Sequence, residues 1–250
     1  MNVIAFVQAR MSSKRLPNKV LLPLMGKTVL EHIYERLGYC KTLSKIVIAT
    51  SYDDTDKTII DLCKKNKMSY YQGNLNDVLD RYYKAAVSFN ADVIVRITGD
   101  CPVIDPKIVD EVVNNYFKND YDLYALSGDF PDGLDCQVFK FQALERSWKE
   151  AKLLSDREHV GTYIEKTSPE LFKIGGLCKF KDLSHHRWTL DEPKDYIFLK
   201  EIFARLYIQD KIFYTEDILK LLTKETDLIQ INKGITRNKG YIDSLKNERV

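Results

Sequence analysis

Residues 3–19 read VIAFVQARMSSKRLPNK and join an apolar run to a cationic loop. Residues 3–7 have the length and apolar composition of a buried strand. Residues 8–19 then hold four cations and two serines but no glycine. Arginine binds phosphate oxygens in a bidentate fork, lysine supplies a point charge, and backbone N–H groups add hydrogen bonds. The loop therefore suits a triphosphate, and the alternative is a solvated basic turn.

The absence of glycine from the loop narrows the kind of phosphate site. Neither the GxGxxG dinucleotide pattern nor the GxxxxGK[ST] P-loop pattern is present. Both patterns rely on backbone N–H groups that glycines bring close to the phosphates. Side chains must therefore carry most of the charge neutralisation in this loop.

Apolar runs alternate with helical patterns after the loop, and this alternation predicts the fold class. Strands are predicted over residues 3–7, 45–50, 69–71 and 92–97, and helices over 28–37, 56–65, 77–89 and 106–117. A βαβα order predicts an α/β fold with a mostly parallel sheet and helices on both faces. Ligands bind beyond the carboxyl ends of such strands, so we expect the loop, Thr50 and Asp100 to face one crevice.

The pattern changes after about residue 119. Strands are predicted over residues 121–126, 136–141, 171–180 and 187–190, and helices over 144–154, 158–166, 193–206 and 215–223. This second half forms a strand-rich excursion from the parallel sheet. We expect a single domain over residues 1–232, with halves 1–119 and 120–232, followed by a loosely held polar tail over 233–250.

Two carboxylates stand at the ends of apolar runs: Asp100 in RITGDCP (96–102) and Asp191 in WTLDEP (188–193). Placed in one sheet, they can converge on a hard cation such as Mg²⁺ and hold it against phosphates. Each has a structural alternative, because Gly-Asp before Pro is a turn signal and Asp191 can cap a helix that begins at Pro193. The loop and the two carboxylates together indicate nucleotide chemistry.

The composition excludes several classes of partner. The 250 residues carry a formal net charge of +2, which gives no global field for attracting nucleic acid. Apolar stretches are too short to span a bilayer, and residue 3 already begins a strand pattern, so we expect a cytoplasmic protein without a membrane partner. The five cysteines form no C-x-x-C pair, as expected for reduced thiols rather than a zinc site.

Several motifs resemble those of a known family. QARMSSKRLPNK (8–19) resembles the ARxxSxRLPxK signature of the sugar cytidylyltransferases, which make CMP-sialic acid and CMP-Kdo. TGDCP (98–102) and LDEPKD (190–195) are similar to the GD-x-P metal segment and the D-x-P-x-D segment of that family. DGLD (132–135) and DREHV (156–160) resemble its SpsF-type branch of spore-coat polysaccharide proteins. Thr98 stands where the CMP-Kdo enzymes have Gln, which argues against Kdo as the acceptor.

The resemblance implies a Rossmann-like, GT-A-like nucleotidyltransferase fold. Residues 1–119 would bind the nucleotide, and residues 120–232 would bind the acceptor and form a homodimer. The implied reaction transfers CMP from CTP, with Mg²⁺, to a sugar, sugar acid or phosphorylated small molecule, and releases pyrophosphate for surface polysaccharide or glycan synthesis. A glycosyltransferase that uses a nucleotide-diphosphate sugar and a non-catalytic nucleotide-binding protein remain as alternatives.

The resemblance and the pattern together give a set of candidate site residues. For nucleotide binding they are Ala9, Arg10, Ser13, Arg15, Lys19, Thr50, Arg81 and Thr98. Arg10, Lys19 and Asp100 are the expected catalytic residues. Asp100 and Asp191 are the expected metal ligands. The expected acceptor-binding residues are Asp132, Gly133, Asp135, Arg157, His159 and Arg187.

Overall fold

The computed structural model of the chain describes residues 1–247 and contains a seven-stranded sheet and a separate two-stranded hairpin. The strands in chain order are β1 (Val3–Gln8), β2 (Pro23–Leu24), β3 (Lys27–Thr28), β4 (Lys45–Ser51), β5 (Ser69–Gly73), β6 (Val93–Thr98), β7 (Leu123–Ser127), β8 (Gln137–Lys140) and β9 (Ile174–Cys178). Strands β2 and β3 form the hairpin, which the sequence analysis did not predict.

The large sheet has the strand order β5-β4-β1-β6-β8-β7-β9. Strands β5, β4, β1 and β6 are parallel neighbours, β8 is antiparallel to both β6 and β7, and β9 returns parallel to β7. The prediction of a mostly parallel sheet is therefore confirmed, and the antiparallel strands come from the second half. The carboxyl ends of the four parallel neighbours meet at one edge, where the cationic loop begins.

Helices cover both faces of the sheet. They are α1 (Val29–Leu37), α2 (Lys57–Lys65), α3 (Val78–Ser88), α4 (Pro106–Tyr116), α5 (Phe141–Glu150), α6 (Leu154–His159), α7 (Pro193–Leu206), α8 (Thr215–Lys224) and α9 (Lys239–Asn247). Alternating residues of β1 and β6 enter two separate apolar cores, one with α1, α4 and α7 and the other with α3 and α5. This alternation is the period-2 pattern of a strand that is covered on both sides.

Local capping fixes the helices that border the carboxyl edge. Helix α1 begins with a capping box, in which Thr28 accepts the Glu31 N–H group and Glu31 accepts that of Thr28. Helix α3 is capped by Asp77. Helix α7 begins at Pro193 as predicted, but its cap is Glu192 rather than Asp191, which leaves the Asp191 carboxylate free for other contacts.

Two predictions in the second half are wrong in detail. The strand predicted over residues 187–190 is reduced to one bridge between Asp132 and Arg187. The helix predicted over 158–166 is broken, because α6 ends at His159, Val160 has a φ of +57°, and a π-helix follows over Tyr163–Thr167. The apolar periodicity of the sequence does not reveal such a break, because the break arises from strained backbone at Val160.

The segment after residue 232 contains a helix that the sequence analysis did not predict. Helix α9 lies against α6, where the Ser244 hydroxyl is 2.9 Å from Nε2 of His159 and the Tyr241 ring meets the His159 ring edge-on. Residues 248–250 of the predicted polar tail lie outside the described residues. In the described part of the chain, no helix is long and apolar enough to cross a membrane.

Candidate active site

Lys19 joins two carboxylates, that of Asp100 after β6 and that of Asp191 before α7. Its Nζ lies 2.7 Å from Oδ2 of Asp100 and 2.7 Å from Oδ1 of Asp191, although these residues are far apart in sequence. The backbone makes the approach possible: the Leu190 N–H group donates to the Asp100 carbonyl, and the Gly99 N–H group donates to the Gln8 carbonyl. A Cβ at Gly99 would lie 2.7 Å from that carbonyl oxygen, so only glycine allows β6 to end this close to β1.

Electrostatics keeps Lys19 and Asp100 of this triad ionised. Burial alone would lower the pKa of Lys19, but the charges of Asp100 and Asp191 and their hydrogen bonds outweigh burial, so the pKa is raised. Burial acts to raise the pKa of Asp100, yet the Lys19 ammonium lowers it to about 2. The Asp100 carboxylate is therefore available to a cation throughout the neutral pH range.

The donor set of Asp100 and Asp191 suits Mg²⁺. Oδ2 of Asp100 and Oδ1 of Asp191 both accept from Nζ of Lys19, so these two oxygens lie no further apart than twice 2.7 Å. The two carboxylates therefore already converge on one positive charge. Mg²⁺ is usually held by one or two carboxylates and completes its shell with water and substrate phosphates. Across residues 1–247, no group of three or more His, Cys, Asp or Glu side chains is placed to hold a metal ion.

A chain of ion pairs extends from this triad. Arg15 contacts Asp191 at 3.0 Å and Glu192 at 3.3 Å. Arg187, which we expected at the acceptor, is buried and binds Asp195 through Nε and Nη2, both at 2.9 Å. The third side of its guanidinium contacts Asp132 at 2.9 Å. Arg187 therefore positions two other candidate segments.

The remaining loop residues border the crevice in different ways. Ala9 is buried and pairs with β4 through its N–H group, 3.1 Å from the Ala49 carbonyl. The Ser13 hydroxyl accepts a long 3.4 Å contact from the Leu16 N–H group. Arg10 is partly exposed and lies 3.7 Å from Glu158. Thr98 is half-buried, with its hydroxyl 3.2 Å from the Cys101 sulfur.

Arg81 is fully buried, and its side chain has no hydrogen-bond partner. Its Nε, Nη1 and Nη2 atoms are all buried and unpaired within residues 1–247. Burial, together with the nearby Arg10 charge, lowers the pKa of Arg81 to about 10 against the effect of Tyr82. A Cβ at Gly73 would lie 2.8 Å from Cγ of Arg81, so glycine at the end of β5 makes room for this side chain. An unpaired buried guanidinium is costly and indicates an anionic or polar ligand.

Asp56 supports the carboxyl edge of the sheet, where it binds the end of β4 and the cationic loop. It was not predicted from the sequence as a site residue. Its buried carboxylate accepts hydrogen bonds from the Met11 N–H group, the Thr50 hydroxyl, and both the N–H group and hydroxyl of Ser51. Thr50 is therefore buried and directed at Asp56 rather than towards the crevice.

Two of the expected acceptor residues lie apart from the Lys19 triad and have partners of their own. Arg157 binds Asp77 through Nε and Nη2 at distances down to 2.6 Å, and its Nη1 donates to the Trp148 carbonyl. These contacts fasten α6 to the start of α3. His159 faces α9 through the contact with Ser244 described above.

The DGLD turn lies beside the triad, under the C-terminal segment. Gly133 has a φ of +110° and packs against the backbone of residues 188–189, where a Cβ would lie 2.6 Å from the Thr189 nitrogen. Arg237 lies 3.8 Å from Asp132 and 3.9 Å from Asp135, and donates to the Phe130 carbonyl. Burial and Asp135 raise the pKa of Asp132 to about 7, against the effect of Arg237 and Arg187.

A second polar group lies on the α3 side of the sheet. Arg96 donates to Gln137 at 2.7 Å and contacts Gln8 at 3.4 Å, and Gln137 donates to Glu165 at 3.1 Å. All four side chains are half-buried. This cluster was not predicted from the sequence, although Gln8 and Arg96 belong to the QARMSSKRLPNK and RITGDCP motifs.

A cationic loop beside two converging carboxylates at the carboxyl edge of a mostly parallel sheet is the arrangement expected of a nucleotidyltransferase. Comparison with protein families makes the class specific: the chain belongs to the cytidylyltransferase family, whose model matches residues 4–235.

Relatives and solved structures agree with this assignment. The chain is 38% identical over 246 residues to an uncharacterized protein of Methanocaldococcus jannaschii, covering 96% of this chain and 98% of that protein. It is 30% identical over 243 residues to the spore coat polysaccharide biosynthesis protein SpsF of Bacillus subtilis, covering 91% and 97%. A cytidylyltransferase structure from Leptospira borgpetersenii superposes with a TM-score of 0.88 at 34% identity, covering 95% and 100%. The glycosyltransferase and non-catalytic alternatives gain no support from these matches.

Proposed function

We propose that the chain transfers CMP from CTP to a sugar, sugar acid or phosphorylated small molecule in a Mg²⁺-dependent reaction that releases pyrophosphate. The observation that carries the proposal is the convergence of Asp100 and Asp191 on Lys19 beside the cationic loop. The similarity to SpsF, a spore coat polysaccharide biosynthesis protein, supports an acceptor destined for a surface polysaccharide. A cytoplasmic homodimer fits the same proposal.

The residues of the loop supply charge neutralisation. An acceptor oxygen that has released any proton to water attacks the α-phosphorus of CTP, and the bond to the bridging oxygen breaks so that pyrophosphate leaves with the electron pair. Lys19 and Arg10 offset the charge that develops on pyrophosphate, while Arg15 and Ser13 hold the remaining phosphate oxygens. Asp100 and Asp191 would hold a Mg²⁺ ion, which would supply Lewis-acid polarisation of the phosphate. The contribution of the chain is positioning and a fixed field.

Arg81 is proposed to bind the nucleotide rather than to stabilise the free fold. Its guanidinium is buried beside Arg10, and no carboxylate among residues 1–247 lies within ion-pair distance of it. The like charges of Arg81 and Arg10 repel, and the Arg81 donors are unpaired, so CTP binding would relieve a cost that is present in the free protein. Ala9 and Thr98 border the same crevice from β1 and β6.

The acceptor is proposed to lie between the DGLD turn and the Arg96–Gln137 cluster. Asp132, Gly133 and Asp135 bound this region on one side, and Gln8 and Glu165 on the other. Carboxylates and amides together accept and donate hydrogen bonds, which is the chemistry that sugar hydroxyls require. Arg157 and Arg187 are proposed to hold the walls of this pocket, because their donors already bind Asp77, Asp195 and Asp132.

Thermal unfolding with nucleotides tests the choice of CTP and Mg²⁺. A ligand that binds only the folded state stabilises it by mass action, by about 2.7 kcal/mol at a ligand concentration of a hundred times its Kd, and so raises Tm. We expect CTP with Mg²⁺ to raise Tm more than CDP, ATP, GTP or UTP, and chelation of the metal to reduce the shift. A larger shift with a nucleotide-diphosphate sugar, or no shift with CTP, would contradict the proposal.

Arg237→Ala is expected to weaken acceptor binding about 10-fold and to leave the KM for CTP unchanged. Arg237 lies beyond residue 235, where the match to the family model ends, and it contacts only the acceptor side of the crevice. A hydrogen bond from a charged group contributes about 1.5–3 kcal/mol. Pyrophosphate release measured against acceptor and CTP concentration separates the two constants. Arg205→Ala, which removes a surface arginine, is the control. A raised KM for CTP would place Arg237 at the nucleotide instead.

A further inference from the structure

We infer that Asp56 is the positioning residue that sets the cationic loop for the triphosphate, an inference that rests on the proposed use of CTP. Asp56 lies at the start of α2, far from the phosphate signature in sequence, and no resemblance pointed to it. Its side chain is completely buried, and it contacts the loop at a single point, the N–H group of Met11, at 2.7 Å.

Met11 connects Asp56 to the rest of the cationic loop. Its N–H group donates to Oδ1 of Asp56, and its carbonyl accepts the N–H groups of Ser13 at 2.9 Å and Asn18 at 3.2 Å. Arg10 directly precedes Met11, and Lys19 directly follows Asn18. One anchored residue therefore sets where both proposed catalytic cations leave the backbone.

The other oxygen of Asp56 is fixed by β4. Oδ2 accepts the Thr50 hydroxyl at 3.1 Å, the Ser51 N–H group at 3.1 Å and the Ser51 hydroxyl at 2.5 Å. These three donors hold the carboxylate rigidly, so Oδ1 presents a fixed acceptor to the loop. Thr50, expected to bind the nucleotide directly, instead acts through Asp56.

The negative charge of Asp56 has a further consequence at the crevice. No cation among the described residues forms an ion pair with it, and Arg81 is the buried cation that its charge reaches. A buried carboxylate is retained at less cost when several donors bind it, as here. Its charge opposes the mutual repulsion of Arg81 and Arg10 before any phosphate is bound.

Asp56→Asn tests the inference because it keeps the shape and replaces one oxygen by an amide group. The remaining oxygen satisfies the three donors of β4, so the amide nitrogen faces the Met11 N–H group and that hydrogen bond is lost. We expect the Kd for CTP with Mg²⁺, measured by titration calorimetry without acceptor, to rise at least about 10-fold. With acceptor present, the KM for CTP should rise more than kcat falls.

A matched variant separates positioning from stability. Asp53→Asn alters the same turn, because Asp53 accepts the N–H group and hydroxyl of Thr55, but it does not contact the loop. We expect a lower Tm and an unchanged Kd for CTP. Asp56→Asn with a lower Tm and an unchanged Kd would overturn the inference and leave Asp56 a structural residue. If Asp56→Asn fails to fold, Ser51→Ala decides: a Kd raised about threefold supports the inference, and an unchanged Kd overturns it.

Inorganic triphosphate distinguishes this inference from the proposed function. It needs the loop but not the cytosine base. Weaker triphosphate binding by Asp56→Asn supports the role of Asp56 even if the wild-type protein does not bind CTP, which would contradict the proposed function alone. Equal triphosphate binding by wild type and Asp56→Asn overturns the inference even if CTP is the substrate.

Discussion

Asp100→Asn is expected to lower turnover at least about 100-fold and to leave the fold intact. Mutation of residues that merely support metal ligands already costs about 10–100-fold, so loss of a direct ligand should cost no less. Asparagine keeps the shape of the side chain and removes the charge that draws both Lys19 and a divalent cation. The variant also breaks the 2.7 Å ion pair with Lys19, a partly buried contact.

The measurement is pyrophosphate release at saturating CTP and acceptor, together with Tm and far-UV circular dichroism. Asp120→Asn is the matched control, because Asp120 is an exposed aspartate that pairs with Lys140. This pair lies at the opposite edge of the sheet, where β6 begins. We expect it to keep full activity. Retained turnover in Asp100→Asn would remove Asp100 from the metal site. Activity of Asp100→Asn that returns at high Mn²⁺ concentration would instead support its role as a ligand.

The first half of the chain was predictable because its information is local. Apolar runs and capping signals such as Thr28 with Glu31 fixed the strands and helices to within a few residues. The order of elements then placed residues 10–19, Thr50 and Asp100 at one edge, since parallel strands share their carboxyl ends. The Lys19–Asp100–Asp191 triad follows from that placement, although its direct hydrogen bonds could be seen only in three dimensions.

The acceptor side was less predictable because its contacts connect distant residues. Nothing in the DREHV motif indicates that Arg157 binds Asp77, 80 residues earlier. The break at Val160 and the following π-helix depend on tertiary packing rather than propensity. Helix α9 has a polar sequence, and only its contacts with His159 and Lys166 show where it lies. Asp56 was not predicted as a site residue, because an aspartate at the start of a helix is common and is usually explained by capping.

Arg81→Met is expected to change stability and nucleotide binding in opposite senses. The guanidinium is fully buried without a partner, so an apolar side chain of similar length should stabilise the free protein by about 1–4 kcal/mol. The Tm should therefore rise, by about 2–4 °C per kcal/mol for a domain of this size. The same substitution removes charge-assisted hydrogen bonds to the nucleotide, each worth about 1.5–3 kcal/mol, so the Kd for CTP should rise roughly 10- to 100-fold.

Arg36→Met is the control for Arg81→Met, because Arg36 is also a buried arginine but has hydrogen-bond partners. Its Nε donates to the Ile104 carbonyl at 2.7 Å, and its Nη2 donates to the Phe213 carbonyl at 2.7 Å. Burial lowers the pKa of Arg36 to about 10, as it does for Arg81, so the two residues differ mainly in hydrogen bonding. Arg36→Met should leave these carbonyls unpaired, lower Tm and leave the Kd for CTP unchanged. If Arg81→Met also lowers Tm and leaves the Kd unchanged, Arg81 is structural, and the nucleotide must gain its affinity from the loop alone.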